Sequence, residues 1–469
     1  MSSPSAAAET RPIAVSTQRH WRGFTPMADF VDLEVVAASG TRFELRNGRH
    51  LIDGVSNLWC NVHGHDHPAI LDAIERQLHR VPHVTTLGMA CETTNALADR
   101  LATITPGPPG HVFFASDGSA AVEAAIKMAF QYWQQTADPR PRKTRFLSLG
   151  NAYHGDTTGS VSLGGIERFH HLFGPMLFET LRIASPCTFR TPEGFASATP
   201  GSPLTEDQET RLAQHHADRL ESVLERHAEE IAAVVMEPLV QGAAGMIQHP
   251  RGFLRRVREL CDRFETLLIV DEVATGFGRT GEMFACQHED VAPDILCVGK
   301  GLTGGYLPLS AAVASPTLFE SFLGDAPEGR QLFHGHTYGG NPMAAAAALA
   351  TLDVFQSEGT LDRVEPLAAR LRDRIRPLDR HPNVASIRGR GLMFGIELLA
   401  DREHEQTFAP DRQVGRRVCE AALRRGLYLR PLADVIVLMP APAMEHDTLD
   451  ELGDIVLESV VEVLGPIAS

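Results

Sequence analysis

Leu267-Leu268-Ile269-Val270 is a continuous aliphatic run that stops on two carboxylates, Asp271-Glu272. A run this apolar and this short reads as a buried strand, and a buried strand requires a sheet to sit in. The pattern repeats along the chain. Ile231 to Met236 leads into Glu237-Pro238, and Ile295 to Val298 leads into Gly299-Lys300. Val112-Phe113-Phe114 leads into Ser116-Asp117-Gly118, and Phe146 to Leu149 into Tyr153-His154. Between the runs lie helical stretches. Ala121, Ala124, Ala125, Met128 and Tyr132 recur at helical spacing and predict a helix over 119–134, with others expected over 212–230 and 254–264. There is no internal repeat. The alternation predicts an α/β sheet core, a fold class that gathers ligands beyond the ends of its strands.

A long Ala-rich helix is expected from Asn341-Pro342 through Ala350 to Phe355, leading out of the large domain. Beyond it, Val384 to Ile387, Leu392 to Leu398 and Ile436 to Leu438 predict new strands in a second, smaller domain. The segment up to about residue 80 is expected to pack with that domain or along a dimer surface. Cys187 to Thr210, rich in Pro, Ser, Thr and Gly, reads as a surface excursion, and Met1 to Gln18 as a frayed tail without the features of a secretory signal. A net charge of -16 without a Lys/Arg run argues against nucleic acid as a partner. No stretch approaches the roughly 20 apolar residues of a membrane helix. The 7 cysteines are scattered and odd in number, which points to free thiols in the reducing cytoplasm rather than disulfides or a zinc site.

Lys300 sits within Gly299-Lys300-Gly301-Leu302-Thr303-Gly304-Gly305. Glycines on either side let a flat ring approach the amine, and lysine is the side chain that forms Schiff bases with carbonyls. The alternative is a turn lysine in water. It is not a Walker A lysine, because no Ser or Thr follows it and the upstream glycine is missing. Asp271 leaves an apolar strand, where an unpaired carboxylate is costly. It could accompany a ring nitrogen, cap a helix or bind a metal. Ser116-Asp117-Gly118-Ser119 turns a strand into a helix, and a helix start supplies backbone donors to a phosphate, although many such turns only cap. Tyr153 could stack on a flat ligand or simply pack. His63, His65 and His67 alternate as metal ligands can, but with no Cys or Glu at zinc spacing they read as turn histidines, and no metal is expected.

Together these segments resemble the class III aminotransferases of pyridoxal 5'-phosphate (PLP) fold type I. The most specific stretch is Leu268-Ile269-Val270-Asp271-Glu272-Val273-Ala274-Thr275-Gly276-Phe277-Gly278-Arg279-Thr280-Gly281, with Lys300 at the family's spacing. The resemblance covers nearly the whole chain and implies a large domain with a mainly parallel sheet plus a smaller α+β domain. It divides the chain into a disordered tail (1–18), an N-terminal part of the small domain (19–80), the PLP-binding domain (81–355) and the C-terminal small domain (356–469). It implies Lys300 as the Schiff-base lysine and proton carrier and Asp271 as partner of the pyridine nitrogen. Val273 and Tyr153 would flank the ring, with His154 and Glu237 near the cofactor and Gly118 and Ser119 at its phosphate. Thr337 would reach the phosphate across a homodimer interface. The family usually reads Asp-Ser-Gly-Ser where this chain has Ser116-Asp117-Gly118-Ser119, so Asp117 is expected to point away from the phosphate.

Within the family, Trp21-Arg22-Gly23-Phe24-Thr25-Pro26-Met27, Met128-Ala129-Phe130-Gln131-Tyr132-Trp133, Tyr153-His154-Gly155-Asp156-Thr157 and Arg430-Pro431-Leu432-Ala433-Asp434-Val435-Ile436 resemble the branch that aminates 7-keto-8-aminopelargonate in biotin synthesis. That likeness implies a small keto acid and an amino donor as partners. Arg430 would clamp the far carboxylate, a task suited to a guanidinium. Phe24, Trp59, Tyr153, Asp156, Arg279 and Gly335 would line the substrate site. Phe24 replaces a tyrosine found in many relatives, which removes one possible hydrogen bond. The donor is S-adenosylmethionine or lysine, and Gln241 to Met246 and His334 to Tyr338 look somewhat more like the lysine-using branch. Other ω-aminotransferases reuse this scaffold, and a non-catalytic PLP-binding module is the reading from another class.

Overall fold

The computed structural model describes residues 19–30, 32–192, 195 and 204–467. The expected tail (1–18) and much of the excursion between Cys187 and Thr210 lie outside the described residues. A seven-stranded sheet forms the centre. Its order is His111–Ala115, Ser310–Ala314, Ile295–Val298, Leu267–Asp271, Ile231–Met236, Arg145–Leu149 and Thr180–Ile183. From Ile295–Val298 to Thr180–Ile183 each neighbouring pair is parallel, whereas Ser310–Ala314 runs antiparallel to both of its neighbours. Ile231–Met236, Leu267–Asp271, Ile295–Val298 and Ser310–Ala314 are buried at every position. That is the result expected of aliphatic runs covered on both faces.

Gly118–Gln135 forms the helix predicted over 119–134, and its Ala121, Ala124, Ala125 and Met128 are buried in the core on one side of the sheet. Helix Glu206–His227 starts earlier than the sequence suggested. Thr205 and Gln208 form a reciprocal capping box that stops the fraying of its first turn. The strand Ser310–Ala314 was not anticipated, since Ser-Ala-Ala-Val-Ala lacks the bulky residues that mark strands.

The C-terminal part builds a second, antiparallel sheet from Val384–Arg390, Met393–Leu398, Val435–Leu438 and Arg430–Leu432. Its own core includes Met393, Ile396, Val418, Ile436 and Val456. The N-terminal segment divides its allegiance. Strands Val35–Ser39, Arg42–Leu45 and His50–Asp53 form a sheet completed by Leu427–Tyr428 from the C-terminal part. Helix Pro68–Arg80 instead sets Ile70 against Ala347, Ala350 and Val354 of the Ala-rich helix Pro342–Ser357. No helix among the described residues is long and apolar enough to cross a membrane.

Candidate active site

Because neighbouring strands run parallel, their carboxyl ends fall along one edge of the sheet. Ser116 to Ser119, Tyr153, Glu237, Asp271 and Lys300 all emerge there and line one cavity of about 670 Å³. The antiparallel strand contributes its beginning, where the Ser310 hydroxyl donates to the Asp117 carbonyl at 2.5 Å.

Lys300 lines this cavity at the start of a short 3-10 turn, with a left-handed φ of 41°. A Cβ added to the next residue, Gly301, would lie 2.8 Å from the Phe277 Cβ, so the turn is packed tightly from below. The amine lies 5.3 Å from the centroid of the Trp59 ring. Burial pushes its pKa below the ordinary lysine value, although Asp271 and Glu237 pull the other way. A lysine less firmly protonated presents more of its free amine, the form that attacks a carbonyl and accepts a proton.

Asp271 is anchored on both oxygens. One accepts the Val273 amide at 3.0 Å and the other lies 2.8 Å from His154 Nδ1. Burial opposes protonation of His154, but the hydrogen bond and charge of Asp271 outweigh it, and its pKa is raised. Glu237 accepts the amides of Tyr153 at 3.1 Å and Gly242 at 2.9 Å. Burial lifts its pKa to about 7, with the nearby charge of His154 opposing the shift. Val273 forms an apolar patch beside Gly118, and a Cβ at Gly118 would stand 2.5 Å from Val273 Cγ1. Only glycine permits that approach.

Asp117 caps the helix that Gly118 opens, its carboxylate accepting the Ala120 amide at 3.0 Å. Gly118 and Ser119, in the first turn, have no intrahelical acceptor for their amides, the usual arrangement for holding an anion. The Ser119 hydroxyl joins those of Thr157 at 2.7 Å and Ser160 at 3.0 Å. Tyr153 donates to Asp156 at 2.7 Å and stacks on His170 with an interplanar angle of 12°.

Several expected residues lie elsewhere in the single chain. Arg430 and Phe24 share a neighbouring cavity of about 930 Å³. Phe24 meets Phe169 edge-on, and Phe169 in turn meets Tyr153. Arg279 does not line the Lys300 cavity. Its buried guanidinium donates to the Ser56 hydroxyl at 3.1 Å, the Pro440 carbonyl at 3.1 Å and the Asn61 carbonyl at 2.7 Å, tying three distant segments together. Gly335 and Thr337 are exposed and outside the cavity. His63, His65 and His67 face different partners, the Thr351 carbonyl, Asp53 and Glu358. Among the described residues no group of three or more His, Cys, Asp or Glu could hold a metal ion.

Cys60, Thr303, Tyr306 and Leu307 to Leu309 also line the cavity, unforeseen from the sequence. Tyr306 has its hydroxyl fixed between the Gly64 carbonyl and the His67 amide. The run from Lys300 to Ser310 was the available signal. A chain that turns straight back into a strand keeps its whole connection at the site.

The chain matches the family described as "Aminotransferase class-III" over residues 25–460. An adenosylmethionine-8-amino-7-oxononanoate aminotransferase from Nitratidesulfovibrio vulgaris is 46% identical over 98% of this chain and 83% of its own length. The enzyme of the same name from Geobacter sulfurreducens is 41% identical over 97% of this chain and 99% of its own. The crystal structure of the Methanocaldococcus jannaschii enzyme of that name superposes with a TM-score of 0.86 at 37% identity, covering 95% of this chain and 97% of that one. An amine transaminase from an uncultivated Pseudomonas species, in its PLP-bound form, gives 0.88 at 33% identity, covering 96% of this chain and 100% of the other. The matched span holds every residue that lines the Lys300 cavity, and the chain belongs to the PLP-dependent class III aminotransferases.

Proposed function

We propose that this enzyme converts 7-keto-8-aminopelargonate to 7,8-diaminopelargonate in biotin synthesis, with S-adenosylmethionine as amino donor and lysine as the competing candidate. The name shared by relatives up to 46% identical carries this reading. Arg430 supports it. Among the described residues its guanidinium has no carboxylate partner, although it lines a cavity. An unpaired arginine beside apolar walls suits a substrate with a terminal carboxylate. A relative from Caulobacter vibrioides, 34% identical and named omega-aminotransferase, favours the alternative that another amine and keto acid are used.

The cavity fits PLP. It presents an amine at Lys300, an anchored carboxylate at Asp271, a close apolar face at Val273 and a helix start at Gly118. Lys300 would hold the cofactor through Nζ, Asp271 would face its ring nitrogen, and Gly118 and Ser119 its phosphate. When bound, PLP supplies an electron sink that makes the proton on the amine-bearing carbon removable. Lys300 Nζ, free once the amine has taken its place, would accept that proton and give it back on the far side of the intervening nitrogen. Asp271, held by His154, stays oriented throughout. Trp59 and Tyr153 exclude water and confine an aliphatic chain. The keto acid then follows the same path in reverse, a ping-pong cycle.

A homodimer in the cytoplasm completes the proposal. Leu87 (71% exposed), Met89 (63%), Phe333 (71%) and Tyr338 (62%) leave much apolar surface around Gly335 and Thr337. A Cβ at Gly335 would touch Leu87, and His83 meets Tyr338, so the two segments form one face. Such a face marks an interface. A partner there would bring Thr337 to a neighbouring site.

The test is the half-reaction. Purified holoenzyme is mixed with S-adenosylmethionine, and separately with lysine, while the cofactor absorption band is followed. Conversion by one donor, reversed by 7-keto-8-aminopelargonate, establishes substrate and donor together. Conversion only by an ω-amine, reversed by pyruvate, rejects the biotin role and keeps the family.

A further inference from the structure

The wall opposite Lys300 rests on a backbone that cannot hold itself. In the segment from Val55 to Cys60, Ser56 (φ 50°), Asn57 (φ 64°) and Trp59 (φ 67°) all take left-handed conformations without being glycine. Such backbone persists only where its surroundings over-determine it. Arg279 and the Met439 carbonyl hold Ser56, and Asp53 holds Asn57. The Asp53 carboxylate is buried, and both of its oxygens accept the Asn57 amide, at 2.8 and 2.7 Å. One oxygen also accepts the Val55 amide at 3.3 Å, and the other lies 3.1 Å from His65 Nε2.

The product of this arrangement is the place of one ring. Trp59 stands with its centroid 5.3 Å from Lys300 Nζ, and a Cβ at Gly242 would lie 3.1 Å from Trp59 Cζ3. The ring therefore has little room to move without the loop moving.

We propose that Asp53 is the positioning residue for the substrate wall: by fixing the strained loop through the Asn57 amide, it sets the distance between Trp59 and Lys300 and so the fit of the aliphatic chain. The proposal rests on the reading of this cavity as the seat of the keto acid. Asp53 touches neither substrate nor cofactor and acts through Trp59 alone.

The test is a double-mutant cycle on the holoenzyme. Asp53→Asn raises KM for 7-keto-8-aminopelargonate about 10-fold while kcat changes less than about two-fold. Trp59→Ala gives a similar rise, and Asp53→Asn/Trp59→Ala no more than Trp59→Ala alone. Additive effects on KM, or no effect of Asp53→Asn, overturn the proposal. A second measurement needs no substrate. Quenching of Trp59 emission by bound PLP, read as the difference between the enzyme and Trp59→Phe, falls in Asp53→Asn, and unchanged quenching overturns the proposal. An enzyme that shows the quenching change but never turns over the keto acid loses the substrate reading and keeps Asp53 as the positioning residue. Should Asp53→Asn not fold, the same measurements compare Asp53→Asn/Asn57→Gly with Asn57→Gly, because glycine relieves the left-handed position. Equal quenching in that pair likewise rejects the role.

Discussion

His154 Nδ1 lies 2.8 Å from an Asp271 carboxylate oxygen, and both side chains are buried. The imidazole is the support that keeps this carboxylate aimed into the cavity. Removing one partner of a buried ionic pair strands the other. His154→Ala is expected to destabilise the fold by about 3 kcal/mol, measured by urea unfolding, and to weaken PLP binding. His154→Gln, which can still donate, recovers part of both losses. A His154→Ala variant as stable as the wild type would show that the pair contributes nothing.

Gly118 and Val273 meet so closely that a methyl group at Gly118 would stand 2.5 Å from Val273 Cγ1. Gly118→Ala therefore overpacks the site by about 1–3 kcal/mol and lowers PLP affinity about 10-fold or more in a cofactor titration. Gly118→Ala/Val273→Ala restores much of the affinity, since the clash is with the valine itself.

Asp117 spends its carboxylate on the Ala120 amide. A serine can make the same cap, so Asp117→Ser should leave PLP affinity within about three-fold of wild type, while Asp117→Ala loses about 1 kcal/mol of stability. A large gain in affinity with serine would mean that the carboxylate repels the phosphate.

Arg430 is the expected anchor of the substrate carboxylate. Arg430→Met should raise KM for 7-keto-8-aminopelargonate about 10- to 100-fold with kcat little altered, the size of one charge-assisted contact. A methyl ester of the keto acid should show almost no difference between the two enzymes in steady-state kinetics.

His249 is fully enclosed, and burial lowers its pKa to about 3. It stays neutral in the folded protein, while the unfolded chain takes up a proton below about 6.5. Its contribution to stability is complete above that pH and is lost as the pH falls from 6.5 toward 3, at up to about 1.4 kcal/mol per unit. His249→Met should flatten this part of the urea-unfolding profile. An unchanged slope would show that the imidazole is protonated in place.

The strands were legible because they are uninterrupted aliphatic runs, and whatever follows such a run must surface at the sheet edge. Lys300, Asp271, Glu237 and Tyr153 could be placed together on that ground alone. Asp53, Cys60 and Tyr306 could not. Their positions depend on left-handed backbone between Val55 and Cys60 and on contacts between segments far apart in sequence, and neither leaves a periodic trace. Arg279 shows the opposite difficulty. The family resemblance implied a place lining the substrate site, and in the single chain its guanidinium is taken up by Ser56, Asn61 and Pro440. The start of the Glu206–His227 helix was readable from Thr205 and Gln208, but the surrounding Pro- and Ser-rich composition masked it.

The reversed direction of Ser310–Ala314 has a mechanical consequence. A parallel strand in its place would need a crossover of a dozen or more residues to return to the opposite edge. The antiparallel strand lets the chain return along the same edge through residues 299–309, with Ile295–Val298 anchoring one end of the connection and Ser310 pinned to Asp117 at the other. Lys300 therefore sits just past the end of a buried strand, on a connection fastened at both ends. Its side chain can swing between partners during turnover while its Cα has almost no slack, as in a hinge whose pin is fixed to the frame.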